Sequence, residues 1–166
     1  MDRHDLRLVV AVLAWALFLG TQRVIPHPPN FTPIITSAVF VPWLFGRNAW
    51  AIGVSMLGLF IGDLVWGFHP YMLYTYASLI LAGLVTVQVR HLPTLAVLGS
   101  TIFFLVTNLG VWLSGYYGYT LQGLWTCYVM AIPFFANTLA STLVYTLVFW
   151  VLYKLVAHFY PRRQTS

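Results

Sequence analysis

Two histidines, one cysteine and one acid inside an apolar run are the residues here whose types could do chemistry. His27 and His69 each stand beside a proline, in "PHPP" and "FHPY". Neutral imidazole is the commonest metal ligand. A lone loop histidine is more often solvated and idle. Cys127 is the only cysteine, so no internal disulfide and no multi-cysteine zinc site exist. It is either a buried small hydrophobe or a soft ligand. Neither HxxxH nor CxxC occurs, so spacing gives no metal signature. Asp63, in "LFIGDLVWG", is the only acid inside an apolar run; the others are Asp2 and Asp5. Intramembrane acids face a cavity, a partner or the interior. With no basic residue evident in another run, Asp63 is expected to accept hydrogen bonds from loop backbone at its helix end, or else to couple protons. Asn108 and Asn137 are mid-run amides of the kind that bond between helices. Asn108 and Trp112 lie one turn apart and are expected to floor a pocket.

The elements that position these residues are apolar helices. The 166 residues are 60% hydrophobic and 7% charged, against roughly a quarter charged in soluble domains. This is the composition of an all-α integral membrane protein in one domain, residues 1–166. A span needs about 20 mostly apolar residues. Six segments qualify: Leu6–Val24, Phe31–Phe45, Ala49–Trp66, Tyr71–Val89, Pro93–Leu113 and Thr126–Ala157. The second is short and the sixth long, with Pro133 expected to kink it or mark the start of its buried part. Leu6–Leu19 behind its basic start reads as the first span and not as a cleaved signal, because no small-x-small site follows cleanly.

Positive charge orients the bundle. With six spans, Arg3, Arg7, Arg47, Arg90, Lys154, Arg162 and Arg163 share one side and only Arg23 falls on the other. Both termini are therefore expected in the cytoplasm. The outer loops then hold His27, Asn30, His69, Tyr71, Tyr116, Tyr117, Tyr119, Gln122, Trp125 and Cys127. An aromatic belt accounts for most tyrosines and tryptophans there. It does not account for the stiff loop "RVIPHPPNFTP", residues 23–33, whose four prolines fix φ. That loop is expected to be a rigid lid carrying His27 and Asn30 on a pocket rim, where rigidity lowers the entropy lost on binding. Small residues at helical spacing, Ala16/Gly20, Gly58/Gly62 and Ala136/Ala140, read as helix packing.

Scattered basic residues flanking apolar runs exclude a nucleic-acid footprint. HExxH, GxSxG and Walker A are absent, and three acids leave little material for acid–base or two-metal catalysis. A non-catalytic protein with no cofactor of its own is expected.

The string "NFTPIITSAVFVPWLFG" leading into "NAWAIGVSMLGLFIGDLVWG", with "AIPFFANTLAST" in the last span, resembles the S component of energy-coupling factor vitamin transporters. The resemblance covers about residues 6–154. It implies a six-helix bundle in the bacterial cytoplasmic membrane that binds a vitamin or precursor in an outer pocket. It also implies a partner: a coupling transmembrane subunit with ATPases, contacted through an AxxxA motif on the first helix. Here only Ala16-xxx-Gly20 approximates that motif, so a solitary member is plausible. The resemblance to solitary cobalamin importers implies a cobalt ligand after the third helix, where His69 stands; Cys127 is the substitute. Cobalamin or a corrinoid precursor is then the first ligand, and a smaller vitamin the alternative. "PHPPNFTP", "GFHPYM" and "CYVMAIPFFANT" also look like a group of small bacterial membrane proteins of uncharacterised role. Two other classes stay open: an accessory subunit docking through its loops, and a membrane enzyme using Cys127 or the histidines.

Overall fold

The computed structural model of the chain describes residues 3–46 and 49–159. Arg47, Arg162 and Arg163, which carry part of the charge skew, lie outside the described residues, as does Asn48. The described residues form six helices: α1 Arg3–Val24, α2 Ile34–Phe45, α3 Ala49–Trp66, α4 Met72–Thr86, α5 Leu92–Leu113 and α6 Leu121–Phe159. Of these, α1, α5 and α6 are long and apolar enough to cross a membrane, while α2, α3 and α4 are apolar but shorter.

Several boundaries differ from the sequence reading, each for a local reason. Helix α2 begins at Ile34 and not at Phe31, because Pro33 takes the N-cap position and Asn30 breaks the backbone at a left-handed φ of 63°. Helix α6 begins at Leu121, five residues before Thr126, and remains one helix through Pro133 to Phe159. At 1.5 Å per residue it is about 58 Å long. Helix α4 ends at Thr86, short of Val89, and α5 starts at Leu92 with Pro93 in its first turn, where a missing N–H costs nothing.

The short helix α2 is the hub. Nine of its twelve residues, Ile34 to Pro42, are buried, and it packs against α3, α4, α5 and α6. Ile34, Ile35 and Ala38 meet Leu19, Leu59 and Leu79 in one cluster. Val39 meets Ala82 and Leu95 in another. Leu59 stands seven residues before the end of α3, so α2 starts roughly 10 Å below that end of the bundle. The chain between α1 and α2 must therefore descend into the interior. It does: the Ser141 hydroxyl on α6 donates to the Asn30 carbonyl at 3.3 Å, and the Phe31 and Tyr145 rings lie 6.1 Å apart.

Helix α1 is strapped to α3 by backbone proximity. A Cβ on Gly58 would stand 2.5 Å from Leu19, and one on Gly20 would stand 2.5 Å from Ile61. Ala16, Gly20, Gly58 and Gly62 are all buried along this seam, whereas Ala136 and Ala140 on α6 are exposed. The expected packing role thus holds for two of the three small-residue pairs.

Candidate functional site

The ends of α1, α3 and α5 and the starts of α2, α4 and α6 converge at one end of the bundle. They enclose a cavity of about 460 Å³ to which all six helices or their caps contribute. Its depth follows from the lining. On α6 it runs from Cys127 to Thr138, three turns, and on α5 from Phe103 to Val111. That is roughly 12–16 Å along the helix axes.

The upper part carries His69, Tyr71, Tyr117, Asn108 and Cys127. The His69 and Tyr71 ring centroids are 5.9 Å apart, and His69 Nδ1 is buried without a hydrogen-bond partner. The Cys127 thiol is buried and donates to the Asn108 carbonyl at 3.3 Å. The Asn108 amide donates back along its own helix to the Phe104 carbonyl at 2.8 Å. Desolvation raises the Tyr117 phenol above its ordinary range; ionised Cys127, Tyr116 and Tyr71 would add to the shift. Tyr117 is therefore a protonated donor at neutral pH.

The lower part is formed by Asn30, Thr32, Ile34, Ile35, Phe103 and Thr138, with Phe104, Phe134 and Phe135 as side walls. Phe104 and Phe135 lie 4.8 Å apart. The proline loop is thus a floor and flank of the cavity and not the lid that its position in the sequence suggests. Pro33, the one buried proline of the four, suits its place because it has no N–H to leave unpaired inside an apolar bundle. His27 also lines the cavity, with its Nδ1 proton donated to the Pro28 carbonyl at 2.7 Å.

Asp63 corrects the expectation of a partnerless acid. It is 1% exposed and forms an ion pair with Arg23, whose Nη1 donates to Asp63 Oδ1 at 2.7 Å. The same Nη1 donates to the Leu59 carbonyl at 2.9 Å, and the Tyr76 hydroxyl donates to Asp63 Oδ2 at 2.9 Å. The Trp66 indole closes the set by donating to the Arg23 carbonyl at 3.0 Å. Asp63 itself does not line the cavity, but Arg23 does.

Of the residues singled out in the sequence, His27, Asn30, His69, Tyr71, Asn108 and Cys127 share the cavity wall. Trp112, Tyr116, Tyr119 and Trp125 do not. Trp112 instead donates to the Thr120 carbonyl at 3.2 Å and ties down the α5–α6 loop. Tyr116, Tyr119 and Trp125 are 73%, 71% and 73% exposed, as befits an aromatic belt. Asn108 sits on the upper wall, so it does not pair with Trp112 as a floor. Asn137 is half-buried and makes no hydrogen bond to another helix among the described residues. Tyr117 was legible as an outer-loop residue but not as part of the cavity wall, and Arg23, Thr75, Thr107 and Thr138 were passed over as lining residues. Threonines spaced along α5 and α6 were the available signal for a polar stripe. Among the described residues no group of three or more His, Cys, Asp or Glu side chains gathers to hold a metal.

The chain matches the family described as a family of unknown function (DUF6580) over residues 3–163, and it belongs to that family. No curated protein and no solved structure matches it.

Proposed function

We propose that this protein is a six-span membrane transport protein of the bacterial cytoplasmic membrane, S-component-like, that captures a vitamin-sized small molecule in the cavity at the outer end of its bundle for uptake. The observation that carries the reading is that one cavity draws residues from all six helices or their caps. A docking subunit has no need of such an interior space. Binding pockets for small molecules measure about 300–1,000 Å³ and combine apolar walls with a few placed polar groups. A cavity of about 460 Å³ walled by Phe103, Phe104, Phe134 and Phe135 belongs to that class. Flat aromatic walls suit a ring-bearing ligand. The volume favours the smaller vitamin or precursor over a whole corrinoid. His69, with its unpartnered ring nitrogen, is the residue through which cobalt would be held if the ligand were a corrinoid.

The small-residue pair on α1 bears on partners. Ala16 and Gly20 face α3 and are buried there, which leaves them closed to a coupling subunit. A solitary importer is the form we favour.

Mass spectrometry of small molecules that co-purify with the protein in lipid nanodiscs tests the reading. A ligand is expected with wild type and not with Thr107→Trp, which fills the cavity from a half-buried position on α5. An empty wild-type protein, folded by its elution profile and exposed to cell extract, would instead support the accessory-subunit alternative. Retained cobalamin with a visible spectrum that changes in His69→Ala would restore the corrinoid.

A further inference from the structure

We infer that the ligand carries an anionic group, a carboxylate or phosphate, held by Arg23 beside the free N-terminus of α2. The inference rests on the small-molecule reading of the cavity and names the chemistry of its ligand. Arg23 is the one charged residue in the lining, and no carboxylate lines the cavity among the described residues. Its Nη1 is spent on Asp63 and the Leu59 carbonyl. Its Nε and Nη2 meet no acceptor among the described residues. A guanidinium fork with one edge fixed and the rest unspent is a preorganised receptor for a carboxylate or phosphate. Asp63 and Tyr76 are positioning residues: they hold the fork without entering the cavity.

A second positive feature lines the same cavity. Leu19, four residues before Arg23, packs against Ile34 and Ile35 in the first turn of α2. Pro33 caps α2 without any side-chain hydrogen bond. The first N–H groups of this twelve-residue helix therefore end unsatisfied at the cavity floor, where Ile34 and Ile35 line it. Short helices that begin inside a membrane protein present this positive end to anionic groups. The buried Nδ1 of His69, also unpartnered, adds one more polar contact from above.

The probes are 2-naphthoate and 2-naphthamide, which share a ring and differ in charge. Binding is measured by equilibrium dialysis against the protein in nanodiscs of zwitterionic lipid. We expect the acid to bind about tenfold or more tightly than the amide, a ratio typical of one charge-assisted pair. The variant Arg23→Gln/Asp63→Asn removes both charges together, so no buried charge is stranded, and should bring the ratio to about one. Arg23→Lys keeps the charge without the fork and should keep part of the preference. Equal binding of acid and amide by wild type would overturn the anion assignment and leave the cavity reading intact. So would a preference that survives in the double variant. Failure of both probes to bind folded wild type at millimolar concentration would sink the cavity reading and this inference together. Repeating the measurement in discs containing phosphatidylglycerol separates the sources of the anion. Unchanged binding of the acid assigns the site to a soluble ligand, and its displacement assigns it to a lipid headgroup; either supports the anion site.

Discussion

Arg23 and Asp63 show how much one pair can decide. Breaking a buried pair from one side costs about 3–5 kcal/mol because the remaining charge stays in low dielectric. Arg23 keeps 21% side-chain exposure while Asp63 keeps 1%. Removing the acid therefore strands a charge with some access to water. Asp63→Ala is expected to destabilise by roughly 2–3 kcal/mol, discounted for that access. Tyr76→Phe removes one hydrogen bond to a carboxylate and should cost about 1.5–3 kcal/mol. Arg23→Gln/Asp63→Asn should recover most of the loss from Asp63→Ala, read as the midpoint of SDS unfolding from mixed micelles. The sequence held both residues in plain view but not their contact. They are forty positions apart, and Arg23 stood at a span end where a basic residue is ordinary. What brings them together is the close approach of α1 and α3. The same limit explains the tyrosines. Tyr117 turns inward and its neighbour Tyr116 outward, a choice made by loop backbone at Gly115 and Gly118, both at positive φ, and invisible to composition.

At the scale of the element, one sequence pattern has two outcomes. Gly58 and Gly62 lie in the α1–α3 seam, while Ala136 and Ala140 face outward from α6. Gly58→Val would press a side chain into Leu19, whose Cβ is already 2.5 Å from the added carbon. A cost of about 1–3 kcal/mol is expected from overpacking. Ala140→Val should stay within about 0.5 kcal/mol, as exposed substitutions do. Equal losses at the two sites, in the same unfolding assay, would mean that α6 buries this face against something. The loop between α1 and α2 makes a separate prediction. Asn30 sits at φ 63°, where a side chain branched at Cβ is strained and Asn or Gly is not. Asn30→Gly should fold normally, and Asn30→Val should lose about 1–2 kcal/mol. The stiffness of this loop was legible in its prolines. Its direction was not, because nothing local says that α2 starts inside the bundle. Only the burial of nine successive residues against four other helices reveals that.

At the scale of the molecule the open question is how a bundle with three long helices and three short ones sits in a bilayer. Helices α2, α3 and α4 span about 18, 27 and 22 Å at 1.5 Å per residue, against a hydrocarbon core of about 30 Å. Counted by length alone, only α1, α5 and α6 cross, and an odd count puts the termini on opposite sides. Under the proposed function all six cross. The ends of α1, α3 and α5 meet the starts of α2, α4 and α6 at one cavity, so the chain alternates direction at every connection. On that reading α2 is short because residues 25–33 supply its missing part as a loop that descends along the bundle, held to α6 at the Asn30 carbonyl and buried only at Pro33. Replacing Cys127, the only cysteine, with serine gives a background free of thiols for mapping sides. On it, Tyr119→Cys in the exposed α5–α6 loop should react with a membrane-impermeant maleimide on intact cells. Gln88→Cys, exposed at the opposite end between α4 and α5, should react only after permeabilisation. The reverse result would invert the bundle and turn its cavity toward the cytoplasm, which ends the importer reading. Labelling of both positions from outside would overturn the six-span count itself.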